Sequence, residues 1–291
     1  APEFPPDDTE AFVNSGKRIF DIYLVDKFKD ACRPPLAVGD VVGSERSGKD
    51  CLKGLKFVED NQGLLWIWEF PEKFPGEKVM YRYLVTVDIG GRSDDSDWSV
   101  ISVIDRYDMM EGGLPQIVAQ WYGHIDHDML AWKAAQIAAF YDDALLVIES
   151  NTLETKDKNR YVNGDQSSFI LNELKEVYNN LYARKSTDID SVKEGAEVKY
   201  GFHTNVKTKG DIISLLIEII REHLYIERDK RCLDEYLTYE EHDGSFDAIE
   251  GKHDDLLMTR AIGLWICYKE MPRPYFVKVG SQNYIAAANV P

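Results

Sequence analysis

From Val79 onward the chain is a series of apolar runs separated by polar, glycine-bearing turns. YRYLVTVDI at 81–89 is almost continuously apolar and rich in β-branched and aromatic side chains, which predicts a buried strand. WSVISVIDRY (98–107) and LPQIVAQWYG (114–123) predict two more, and the short turns between the three predict an antiparallel meander. ALLVIES (144–150) is short and apolar, as a central strand covered on both faces must be. EVKYGFHT (197–204) predicts a further strand. Between and after these lie helical patterns. Residues 128–141 place Leu130, Ala134, Ile137 and Ala138 on one face, and further helices are expected over 168–181, 209–223 and 254–268. MPRP at 271–274 stops the last one. The pattern predicts an α/β fold, a mixed sheet made of an antiparallel three-strand meander plus parallel strands, flanked by helices.

Residues 1–78 read differently and are expected to form a connecting segment or linker subdomain. APEFPPDD is proline-rich and acidic, helical periodicity over 9–29 is ended by RPP at 33–35, and LLWIWEFP (64–71) predicts a strand. The main domain is expected over 79–272, with 273–291 as a C-terminal tail. Composition then narrows the function classes. The chain lacks an apolar run of the ~18 residues that a membrane span needs. Four cysteines without C-x-x-C spacing argue against structural zinc and disulfides and fit a reducing interior. The formal net charge of −17 is the wrong sign for a general nucleic-acid binder, so a polyanion would have to be met by local basic groups, metal ions or a tethered partner.

Candidate chemistry sits at the ends of the apolar runs. Asp88 ends the first strand before Gly90 and Gly91, and Glu149 ends ALLVIES before a polar loop. Strand ends are where open α/β sheets place ligands. A charge there is costly unless paired or metal-bound. Asp254 and Asp255 open the last helix. Each acid alone has an ordinary explanation: Asp88 as a turn cap, Glu149 paired with Lys156 or Arg160, Asp254 as an N-cap. Together, two strand-end acids and one helix-start acid can converge on one edge of the sheet. Oxygen-only ligands suit Mg²⁺ or Mn²⁺, and two such ions about 4 Å apart can drive phosphodiester hydrolysis.

At these residues the chain resembles the nuclease domain of phage large terminase subunits, of the RNase H-like superfamily. The resemblance runs from Tyr81 to Tyr268 through VTVDIGGRSDDSDWSVISVIDR (85–106), YDDALLVIESNT (141–152), GFHTNVKTKGDIISLL (201–216) and EYLTYEEHDGSFDAIEGKHDDLLMTRAIGLWI (235–266). It implies an RNase H-like domain over 79–272 and an endonuclease that cuts concatemeric viral DNA during packaging with two Mg²⁺ or Mn²⁺ ions. Asp88, Glu149 and Asp255 are then the catalytic metal ligands, with Asp254 as the alternate third acid and Asp97 as a further one. His253 is a candidate supporting donor or a solvent-facing residue. Lys156, Arg160, Lys207 and Lys209 are candidate contacts to DNA phosphate. Helical periodicity does not choose between Asp254 and Asp255, because Leu257, Ala261 and Leu264 continue one stripe and Met258, Ile262 and Trp265 the other. The implied partners are double-stranded DNA, a terminase ATPase domain, a small terminase subunit and a portal, in the cytoplasm of an infected or lysogenic bacterial host.

GSERSGKD (43–50) has phosphate-loop spacing, but Asp50 stands where a magnesium-binding hydroxyl belongs, so no nucleotide is expected in this chain. Two other classes compete. An actin- or sugar-kinase-like ATP-binding protein also begins with a strand, an aspartate and glycines, but it calls for downstream phosphate and adenosine motifs that the sequence lacks. A non-catalytic docking module for the packaging motor would leave the acids spread apart or salt-bridged.

Overall fold

The computed structural model describes residues 17–90, 98–149, 171, 174–184, 199–242 and 244–279. Its centre is a seven-stranded mixed sheet, built from β2 (Ala37–Val42), β3 (Lys56–Glu59), β4 (Leu65–Ile67), β6 (Tyr83–Asp88), β7 (Ser99–Asp105), β8 (Gln116–Gly123) and β9 (Leu145–Ile148). The strand order is β3-β2-β4-β8-β7-β6-β9. β6, β7 and β8 form the expected antiparallel meander, and β9 adds in parallel on the far side of β6. All of β6 and β7 is buried, because helices cover both faces of the sheet there.

Side-chain alternation divides the core into two layers. Val85, Val87 and Ile89 of the β6 run point to the layer under α2 (His127–Phe140), with Leu130, Ala134, Ile137 and Ala138. Leu84 points the other way, into the layer with α3 (Val206–Glu222), α4 (Lys230–Leu237) and α5 (Asp255–Trp265). Thr86 joins that second face by donating to the Thr259 carbonyl of α5 at 3.1 Å. Helix α5 lies close on the sheet because of Gly263, where a Cβ would stand 2.6 Å from the Ile104 Cδ1 and 3.2 Å from the Thr86 Cγ2. A short π-turn (Ile266–Glu270) continues α5.

The described part of the expected connecting segment is built into the same sheet. β4 pairs with β8, and β2 with both β4 and β3. The AVGDVV run of β2 alternates buried and half-buried positions, as a strand covered more fully on one face does. The expected helix over 9–29 is short: α1 (Ile22–Asp26) is capped by Asp21 and runs into a 3₁₀ turn (Lys27–Ala31), while residues 9–16 lie outside the described residues. Two small sheets flank the main one. β1 (Lys17–Arg18) joins the hairpin β10 (Tyr239–His242) and β11 (Ser245–Ala248), and β12 (Tyr275–Lys278), from the expected tail, pairs with β5 (Glu77–Met80). Among the described residues of 197–204 there is no continuous strand, only bridges from Tyr200 to Ala183 and from Phe202 to Glu149. No helix of the described residues is long and apolar enough to cross a membrane.

Candidate active site

Strand register brings the first two acids together. β6 and β9 are parallel with Val87 opposite Ile148, so Asp88 and Glu149 follow side by side, one strand spacing of about 4.8 Å apart. The Glu149 N–H donates to the Val87 carbonyl at 3.0 Å, which holds the register through to the acid itself. Asp88 shares the face of Leu84 and Thr86, towards α5. A one-residue slip of either strand would send its acid to the opposite layer.

The third acid arrives from α5. Asp255, the first residue of that helix, is 5% exposed. Its Oδ2 accepts the Trp98 backbone N–H at 3.2 Å and lies 3.7 Å from His253 Nδ1. The Trp98 ring packs against those of Tyr122 and His124, with centroids 4.6 and 4.0 Å away. Asp254 stands at the N-cap position, half-buried, without a capping hydrogen bond from its side chain. Lys209 Nζ is 3.9 Å from the Asp254 carboxylate, and the buried Tyr239 hydroxyl, which feels its charge, donates to the Phe246 carbonyl at 3.1 Å.

Asp88, Glu149, Asp254 and Asp255 all line one open cleft of about 710 Å³. Its rim is formed by the start of α3, at Asn205 and Val206, and by the β10–β11 hairpin, at Ser245 and Phe246. The α3 start is rigid, because Asn205 and Thr208 cap it reciprocally: the Asn205 side chain accepts from the Thr208 N–H at 3.0 Å and the Thr208 hydroxyl accepts from the Asn205 N–H at 2.7 Å. Val206 stands 87% exposed on the lip.

The cleft is strongly acidic. Burial first, and then the neighbouring Glu149 carboxylate, push the Asp88 carboxyl well above the usual carboxylate range; Asp255 and Asp254 add to the same effect. The Tyr239 hydroxyl is pushed up by burial and then by Asp254, Asp247 and Asp88. An all-oxygen set in which like charges crowd one another is the donor chemistry that hard divalent cations take. Among the described residues, however, no group of three or more His, Cys, Asp or Glu side chains is gathered closely enough to hold a metal ion. The acids converge on one cleft without forming a finished ligand shell.

The other candidates fall in different places. Lys209 lines the cleft and makes a 3.0 Å ion pair with Asp247 of the hairpin. Lys207 is exposed and outside the cleft lining. His253 is exposed beside Asp255 and is outside the cleft lining. Asp97, Lys156 and Arg160 lie outside the described residues. Sequence reasoning missed Tyr239 and Asp247, which sit on a hairpin whose YEEH and SFDA strands carry no strong hydrophobic pattern.

No family model matches the sequence, and no curated protein matches it. Among solved structures, the chain is similar to the large terminase nuclease of thermophilic phage G20c, with 16% identity, a TM-score of 0.47, and coverage of 85% of this chain and 97% of that one. It is similar to the large terminase nuclease domain of Thermus phage P74-26, with 17% identity, a TM-score of 0.43, and coverage of 83% and 94%. A manganese-soaked, inhibitor-bound terminase nuclease domain of human cytomegalovirus is a more distant likeness, with 9% identity, a TM-score of 0.42, and coverage of 66% and 85%.

Proposed function

We propose that this chain is a divalent-metal-dependent DNA endonuclease that cuts concatemeric viral DNA during genome packaging. The observation that carries the nuclease reading is the register-locked Asp88–Glu149 pair facing Asp254 and Asp255 across one open, acidic cleft. The packaging role rests on the resemblance of the segments around these residues to large terminase nuclease domains.

Asp88, Glu149 and Asp255 are the residues that would hold Mg²⁺ or Mn²⁺, with Asp254 the alternate to Asp255. Bound divalent ions supply Lewis-acid polarisation of the phosphodiester and offset the charge that develops as it is hydrolysed. The protein's own part is placement. Adjacent parallel strands fix Asp88 against Glu149, and the Trp98 N–H orients Asp255. Lys209, in the cleft lining, and Lys207, exposed on the first turn of α3, are the candidate contacts for the backbone phosphates of a DNA strand. A chain with a net charge of −17 would otherwise repel that strand, so the ions and a tethered ATPase or small subunit share in holding it.

The test is nicking of supercoiled plasmid with Mg²⁺ or Mn²⁺. Wild type is expected to cleave only with the metal, and Asp88→Ala is expected to lose at least ~10³-fold, or about 4 kcal/mol of barrier lowering. Full cleavage by Asp88→Ala would sink the reading.

A further inference from the structure

Helix α5 begins in an unusual way. Its N-cap residue is an aspartate, one of the strongest capping residues, yet the Asp254 side chain makes no capping hydrogen bond. The orphan N–H at the third helical position, Leu257, donates instead at 2.8 Å to Oε2 of Glu235, a buried residue of the neighbouring helix α4. The Asp254 carboxylate is turned to the cleft, where Lys209 approaches it and Tyr239 feels its charge.

Glu235 is held for this task by its own helix. α4 is capped by Asp229, whose carboxylate accepts from the Arg231 N–H at 2.9 Å and from the Gln120 side chain of β8 at 2.5 Å. That ties α4 to the central sheet, and with it the carboxylate that fixes the start of α5. Placing the buried Glu235 carboxylate beside Asp255 and Asp254 is electrostatically unfavourable, and a local cap from Asp254 would have avoided it. The arrangement makes sense if Asp254 is needed elsewhere.

We propose that Glu235 is a positioning residue for the metal-binding acids. By capping α5 from a neighbouring helix it releases Asp254 to the cleft and fixes the direction in which Asp255 leaves the helix start. This rests on the nuclease reading above. Without the Glu235 acceptor, Asp254, which already occupies the N-cap position, is expected to take over the cap and in doing so to leave the cleft.

The experiment is Mn²⁺ titration by calorimetry, alongside Tm, on wild type, Glu235→Gln and Glu235→Leu. Gln keeps an acceptor and is expected to bind Mn²⁺ within about threefold of wild type. Leu is expected to weaken Mn²⁺ affinity ~10–100-fold, the usual range for a residue that orients metal ligands. Its Tm should fall little, because Asp254 takes over the cap. Equal Mn²⁺ affinity in wild type and Glu235→Leu overturns the positioning role, whatever happens to Tm. If Glu235→Leu does not fold, Glu235→Ala takes its place with the same expected and overturning results. Wild type that binds no Mn²⁺ overturns the metal reading itself, and the positioning role falls with it.

Discussion

Helix α5 carries two buried polar clusters of opposite character, about five residues or ~7.5 Å apart along its axis. Around Arg260 every charge is matched. Its guanidinium donates twice to Glu227, at 2.9 Å each, and once to Ser102 at 2.7 Å, while Glu227 also accepts the N–H groups of Arg228 and Asp229. At the start of the same helix, Asp254 and Asp255 face Asp88 and Glu149, and acids predominate. The first cluster is complete within the fold and fixes α5 on the sheet. The second is held together against its own repulsion, and its all-oxygen, like-charged set is the environment that the proposed divalent cation would relieve.

The largest expected effect comes from unbalancing the matched cluster. Arg260→Met leaves Glu227 buried without its cation and is expected to cost about 3–5 kcal/mol in urea unfolding. Adding Glu227→Gln, which keeps an acceptor for the two backbone N–H groups, should recover most of that loss. A loss below about 1 kcal/mol for Arg260→Met would show that the pair does not hold α5.

The acidic cluster should respond in the opposite direction. Asp88→Asn removes a buried carboxylate beside Glu149 while keeping its shape, so the metal-free variant is expected to be more stable than wild type by on the order of 1 kcal/mol, in the range typical of a stabilising change. Mn²⁺ should then reverse the order, since an ion at a hundred times its Kd stabilises the binding form by about 2.7 kcal/mol. Thermal melts of both proteins with and without Mn²⁺ read this directly. Destabilisation of the metal-free variant would mean that Asp88 is a structural residue.

How far these clusters could be read from the sequence follows from their surroundings. β6 and β9 announce themselves because strands covered on both faces are continuously apolar, and an acid at the end of such a run is conspicuous. Asp254 and Asp255 were equally visible, but periodicity gave no choice between them, because residues from Asp255 through Leu264 are buried on every side of α5 and both stripes are apolar. That same feature was a usable signal for the balanced cluster. An arginine within LLMTRAIGLW must be buried and therefore paired. Its partner was not legible, because Glu227 ends LYIE, where a charged residue ordinarily faces solvent; nor was Glu235, which lies in KRCLDEYL. β2 was hidden for a different reason. Gly39 and Asp40 interrupt its apolar run, and the glycine is required because a Cβ there would lie 2.1 Å from the Val58 carbonyl of β3.

Whether the balanced region extends to α4 is tested at Asp229. Burial alone would push the Asp229 carboxyl up, but hydrogen bonds and charge from Arg231, helped by Arg260, bring it below the usual carboxylate range. A carboxyl depressed on folding contributes stability that is present above its unfolded value of about 3.9 and is lost as pH falls through its lower folded value. Asp229→Asn is therefore expected to cost about 1.5–3 kcal/mol at pH 7, the range for hydrogen bonds to a charged group, and progressively less below pH ~4. Urea unfolding of both proteins at pH 7 and at pH ~3 measures the convergence. If the gap between them stays constant with pH, Asp229 acts through hydrogen bonds that its amide cannot replace, not through its charge. The electrostatic contrast between the two ends of α5 would then be confined to Arg260 and its carboxylate partner.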